Sequence, residues 1–288
     1  AAPCRRSRRG PDPVAVAAPG RHRRAKGQHG GTMTDLNNYK RPMQPIPEHL
    51  AHAIQRGVHQ GPFPGPRSAD RLFEQWARYA DRVTRSNDGQ VLVTCTSELP
   101  GVTPRMIDWW FGWHLPEAER YRLWHPEAHI KARVEEDRTG QPINDHDKYI
   151  DNISYVDEYI GKRRMRLAIR FFRPDAIGLG GLQPEHATAI CAATSDRVLN
   201  ADAGQLVHRV EATAGGSEMR SAFWLGDLHL NRPVIGALIA PILRTRSARR
   251  VFVRDRMALD LLRHCAEEMH HLARFLPDLY RAVNAESA

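Results

Sequence analysis

The stretch Met257-Ala258-Leu259-Asp260-Leu261-Leu262-Arg263-His264-Cys265-Ala266-Glu267-Glu268-Met269-His270-His271-Leu272-Ala273-Arg274-Phe275 decides the architecture of this 288-residue chain. Met257, Leu261, His264, Glu268, Leu272 and Phe275 follow one another at spacings of four, three, four, four and three. That rhythm lays them in one stripe along a helix. Four of the six are apolar, so the stripe faces inward, while Asp260, Arg263, Glu267 and Arg274 form an opposing polar face. His264 and Glu268 sit in the middle of the inward stripe, one turn apart and projecting the same way. A buried carboxylate without a partner costs several kcal/mol, which a fold avoids by pairing it, protonating it or giving it a metal. His and Glu at this spacing can reach one ion from a single helix, which makes half of a metal site. A buried His–Glu hydrogen bond that satisfies itself is the alternative.

The pattern predicts that this helix runs from about Val253 to Leu276, with Pro277 ending or kinking it. Upstream, strand-like alternation covers Ala128–Val134, Ile150–Ile160, Met165–Phe172, Ala187–Ala193, Gln205–Ala214 and Ser217–Leu225. An earlier strand, Gln90–Leu99, is followed by a helix opened by Thr103 and Pro104 and by a short helical piece from Pro116 to Trp124. From Ile46 to about Val83 the spacing is helical, broken at Gly61 to Pro66 and restarted by Ser68. The sum is an α+β chain of helix-grip type, a curved antiparallel sheet around the last helix with a cavity between them. Residues 33–88 read as a small helical N-terminal domain that can bury little alone, and 89–288 as the main domain.

Two strands add polar groups to apolar faces. Glu158 is in phase with Val156 and Ile160, and His208 with Leu206, Val210 and Ala212. The segment Trp124-His125-Pro126-Glu127-Ala128-His129 brings two further histidines. His129 falls out of phase with Ile130, Ala132 and Val134, so periodicity does not choose between it and His125.

The net charge of +9 is concentrated in one place: residues 1–32 hold eight basic residues against the single acid Asp12. That tail lacks apolar periodicity and reads as disordered, with Met33 as the expected natural start. The body therefore lacks a uniform basic footprint, and a nucleic-acid partner is not expected. No run approaches the roughly 18–20 apolar residues of a membrane span, so no membrane partner is expected either. Cys4, Cys95, Cys191 and Cys265 are scattered, which suits neither a disulfide framework nor a thiolate metal site and makes the cytoplasm the default setting.

The segment Met106-Ile107-Asp108-Trp109-Trp110-Phe111-Gly112-Trp113-His114, with Glu119-Arg120-Tyr121-Arg122-Leu123-Trp124-His125-Pro126-Glu127-Ala128-His129, resembles the characteristic segment of the 2,4-diacetylphloroglucinol hydrolase family, related to phloretin hydrolase. Leu206 to Glu211 and His264 to Tyr280 are similar too, so the resemblance spans roughly Leu36 to Tyr280. It implies a Bet v1-like helix-grip catalytic domain, a helical N-terminal domain used in homodimer formation, and cleavage of the carbon–carbon bond between an acyl group and a phenolic ring. It also implies one Zn2+ held by His129, Glu158, His264 and Glu268, which chooses His129 over His125. A water on that zinc, with its pKa lowered from about 15.7 towards 7, would attack the acyl carbonyl. Tyr121 matches a tyrosine that binds the phenolic substrate, and His208 a pocket histidine suited to moving a proton. Ala132 and Phe223 stand where the family pattern has an asparagine and a tyrosine. Each change removes a polar substrate contact and should alter preference among acylated phenols. A rival reading is a non-catalytic carrier of a hydrophobic aromatic molecule.

Overall fold

Alternation along the strands divides the molecule into two apolar layers. In β3 (Val91–Pro100), Val91 and Val93 join one buried cluster and Leu92 the other. In β9 (Gly216–Leu230), Phe223 joins the first while Ala222 and Trp224 join the second. Each strand thus feeds two cores, because successive side chains leave opposite faces of the pleat. The structure, a computed structural model, describes residues 34–285; the basic tail and Met33 lie outside these residues.

The described residues form one compact unit. Its elements run α1 (Glu48–Gln55), β1 (Val58–Gln60), α2 (Ala69–Glu74), α3 (Trp76–Tyr79), β2 (Arg82–Arg85), β3, α4 (Pro104–His114), α5 (Ala118–Trp124), β4 (His129–Val134) and α6 (Asp145–Tyr149). Then follow β5 (Ile153–Ile160), β6 (Arg163–Phe172), β7 (Ala187–Asp196), β8 (Ala201–Thr213) and β9. Four helices end the chain: α7 (Pro233–Leu243), α8 (Arg246–Phe252), α9 (Asp255–Ala273) and α10 (Leu276–Ala285). The nine strands make one sheet in the order β1-β2-β3-β9-β8-β7-β6-β5-β4, antiparallel except for the parallel β1–β2 pair.

Helix α9 packs on β3 and also touches β2 and β5, strands far apart in that order, so the sheet curves around it. This is the α+β helix-grip arrangement expected from the sequence. The inner core joins α9 residues Leu262, Met269 and Leu272 to Val93, Trp110 and Phe275. On the outer face, Leu72, Phe73, Trp76 and Tyr79 of α2 and α3 cover Leu92, Val207 and Trp224. The N-terminal segment therefore buries its apolar residues in both layers, Leu50 and Ala53 of α1 in the inner core beside α9 and those of α2 and α3 on the outer face of the sheet.

Four local expectations change. Val58 and Val83 are not helical: Val58 lies in β1, paired with Val83, and Val83 in β2, paired also with Val93. The last long helix ends at Ala273, and Pro277 falls in the first turn of a further helix, where its missing N–H costs nothing. Asp260 and Glu267, expected on a solvated face, are half-buried and paired, Asp260 with Arg256 and Glu267 with His125 and Arg263. Helices α7 and α8 occupy a stretch with no predicted element. Helix α4 begins as expected, with the Thr103 hydroxyl accepting from the Met106 amide at 3.3 Å.

Candidate metal centre

Helix α9 delivers His264 and Glu268 to the inner core, both buried, with His264 Nε2 and Glu268 Oε2 3.6 Å apart. Strand β5 delivers Glu158, whose face also carries the buried residues Ser154, Val156 and Ile160. The neighbouring β4 supplies His129, directly opposite Glu158 in the ladder. The register slips by one residue between His129 and Lys131, a β-bulge. Beyond it Ala132 pairs with Val156 and Val134 with Ser154. Cross-strand partners share a face, so His129, Ala132 and Val134 all point inward although their sequence spacing has the wrong parity. The bulge is the reason that alternation did not select His129.

The orientation of His129 is fixed by its other nitrogen. Its Nδ1 lies 2.9 Å from the Tyr121 carbonyl oxygen, which can only accept, so Nδ1 carries the proton and Nε2 presents a lone pair. That Nε2 is buried and lacks a hydrogen-bond partner. It lies 3.5 Å from Glu268 Oε2 and 3.9 Å from Glu158 Oε2. Ligand atoms of His129, His264 and Glu268 all fall within 4.8 Å of one another. The Tyr121 hydroxyl donates to Glu158 Oε2, and its ring stacks on His129 with centroids 3.7 Å apart. His125 is near but differently engaged: it stacks on His264 at 5.0 Å and places Nε2 3.3 Å from Glu267.

Electrostatics in the cluster favour uncharged imidazoles. Burial pushes His264 down to about 3, with His125 adding to the effect. Burial also holds His129 well below the usual histidine range, helped by His264. The same burial raises Glu268 well above the usual carboxylate range, the neighbouring Glu158 contributing next, and it raises Glu158 as well. Two neutral imidazoles facing two strained carboxylates are what a divalent cation stabilises, since it returns the charge that burial removes. Bare Nε2 of His129 and this mixed N/O donor set fit a cation such as Zn2+.

The cluster forms part of the wall of a cavity of about 330 Å3. Tyr121, Glu158, His264 and Glu268 line it together with His208, Phe223 and Phe111. His208 is buried, pushed down to about 3 by burial, with Nδ1 2.8 Å from the Ser221 hydroxyl. Phe223 meets the cavity directly, whereas Ala132 packs half-buried against the core. Trp109 stacks on Trp113, Trp110 tilts against Trp113, and Trp109 and Trp110 meet Tyr280 and Phe275 edge-on, so these tryptophans pack with one another and do not line the cavity. Sequence reasoning did not find His114, which lines the cavity one turn after Trp110 and hydrogen-bonds its carbonyl at 2.6 Å. Nor did it find the roof, Leu228, Ile239 and Leu243; His114 follows Trp110 at helical spacing, but the roof gave no amphipathic signal.

Residues 79–281 match the family model described as the DAPG hydrolase PhiG domain. Among characterised proteins, the chain is 32% identical over 196 residues to a 2,4-diacetylphloroglucinol hydrolase from Pseudomonas sp, covering 66% of each chain. It is 30% identical over 146 residues to phloretin hydrolase from Eubacterium ramulus, covering 48% of this chain and 52% of that one. The chain thus spans just under two thirds, or less, of the length of these relatives. Norcoclaurine synthase from Thalictrum flavum is similar in structure, with TM-score 0.31 and 13% identity over 59% of this chain and 93% of the other. Protein Ms6760 from Mycobacterium smegmatis gives TM-score 0.36 and 10% identity over 70% and 97%.

Proposed function

Because the chain belongs to the 2,4-diacetylphloroglucinol hydrolase family, we propose that it is a zinc-dependent hydrolase that cleaves the carbon–carbon bond joining an acyl group to a phloroglucinol-type ring. The observation that carries this reading is the bare, buried Nε2 of His129 facing Glu268 on the wall of an apolar cavity. His129, His264 and Glu268 would hold the ion, with Glu158 as fourth ligand. When bound, a zinc ion supplies Lewis acidity and a lowered water pKa.

The protein's own groups do the rest. Tyr121 donates its only proton to Glu158, so it keeps its lone pairs and accepts a hydrogen bond from a ring hydroxyl of the substrate. His208, a neutral imidazole on the cavity wall, takes a proton from the attacking water. As the bond breaks, its electron pair goes to the ring carbon, and His208 returns the proton there. One water is consumed, and a carboxylic acid and a deacylated phenol leave. Ring hydroxyls ortho and para to the cleaved bond make that carbon basic enough to leave. Phe223 offers an apolar contact where a hydroxyl would discriminate, so phloretin-type acyl phenols fit as well as diacetylphloroglucinol. The reading also makes the protein a cytoplasmic homodimer.

A carrier would need the cavity but not the bare nitrogen. Glu268→Ala is expected to abolish both bound zinc and ring–acyl cleavage across a panel of acylphloroglucinols and dihydrochalcones, while the circular dichroism spectrum is kept. Cleavage by metal-stripped Glu268→Ala protein would refute the mechanism.

A further inference from the structure

The cavity is roofed by a helix that is apolar on every side. Ile239 and Leu243 of α7 turn inward and line the cavity. Gly236 brings the helix so close to the end of β9 that a Cβ there would meet the Leu230 carbonyl oxygen at 2.3 Å. The opposite flank carries Val234, Leu238 and Ile242, successive turns of one stripe, and these are 82%, 78% and 64% exposed. Ile235 is exposed beside them, and on α8 Val251 and Phe252 continue the surface. Phe252 shares the cavity lining with Leu243, which joins the two helices in one roof. A helix apolar all round belongs against an apolar medium on both sides, and an exposed patch of this size marks an interaction site.

The rim of the patch is predominantly basic, and the carboxylates that border it, Asp88 and Asp255, are paired with Arg249 and Arg85. Between Asp227 and Asp255 the sequence contains no carboxylate and six arginines, and Arg232, Arg244, Arg246, Arg250 and Arg254 are exposed. We propose that α7 and α8 form a docking site for an anionic membrane surface. The stripe of Val234, Leu238 and Ile242 lies among acyl chains just below the headgroups, and the arginine rim meets lipid phosphates. With 11 residues, α7 is about 16 Å long, too short to span a bilayer and suited to lying in its plane. A second copy of the chain fits less well, because a two-fold interface on this flank would set the same arginines against each other. Docking by the roof would also bring the cavity to the bilayer, where apolar acyl phenols concentrate. The proposal stands independently of the reaction assigned above.

Sedimentation of the full chain with phosphatidylcholine vesicles, with and without phosphatidylglycerol, tests it. Binding is expected only to vesicles that contain phosphatidylglycerol, and it should weaken as salt rises. Leu238→Glu and the double variant Arg244→Glu/Arg246→Glu should each lower the partition coefficient about ten-fold or more. Ile242→Glu is a second apolar probe should Leu238→Glu fold poorly. Failure to bind phosphatidylglycerol vesicles, or equal binding by these variants, overturns the proposal. So does light scattering that shows a wild-type dimer split by Leu238→Glu, since the flank would then belong to a second copy.

Discussion

In the proposed reading, Tyr121 is one side chain that would serve both the ion and the substrate. Its carbonyl holds His129 Nδ1, its ring stacks on the His129 imidazole, and its hydroxyl donates to Glu158. Removing the hydroxyl leaves a buried carboxylate short of a donor, and partners of this kind are worth about ten- to a hundred-fold in metal affinity. Tyr121→Phe should therefore weaken zinc binding by about that factor, as read by competition with a chelating dye. If zinc affinity is unchanged and only KM rises, the hydroxyl serves the substrate alone. Most of this site can be read from the sequence, because His264, Glu268 and Glu158 each sit in phase with apolar neighbours on regular elements. His129 cannot, because the bulge after it inverts the parity that alternation relies on. Only the family resemblance separated it from His125.

At the scale of elements, legibility follows how one-sided each element is. Helix α9 and strands β3 and β5 to β9 present a face to the core, and their periodicities survive in the sequence within a few residues. The helical reading of Trp76 to Val83 failed at its end because Val83 answers to a strand partner, Val93, that spacing cannot reveal. Helix α7 was missed for a different reason: apolar on both flanks, it has no contrast for a periodicity to detect. What fixes it is close approach, through Gly236, to the Leu230 carbonyl. Gly236→Ala forces the two backbones apart and should lift α7 from the end of β9. The expected outcome is a loss of about 1–3 kcal/mol of stability, with faster amide exchange confined to the segment from Arg232 to Phe252. Exchange rates like those of the wild type would mean that the roof tolerates the methyl group and is held by other contacts.

The whole molecule carries a pH dependence set by imidazoles that its core keeps neutral. His114 and His208 are both pushed down to about 3, burial being the main cause in each. Unfolded histidine titrates near 6.5, so between about 6.5 and 3 the unfolded chain binds protons that the folded chain refuses. Stability is therefore fully present above pH 6.5 and is lost as pH falls through that window. Each group contributes a slope of about 1.4 kcal/mol per pH unit. The fall is a property of the entire fold, because the sheet, α4 and the aromatic layer together exclude the water that would solvate the charged rings. It was invisible in the sequence, where His114 ends an aromatic helix and His208 is one polar residue in an apolar strand. His208→Gln keeps a partner for Ser221 without a titrating group. Urea unfolding of this variant between pH 6.5 and 4 should show a slope of stability against pH shallower than that of the wild type by about 1.4 kcal/mol per unit. An identical slope would place His208 in contact with water and free to titrate normally.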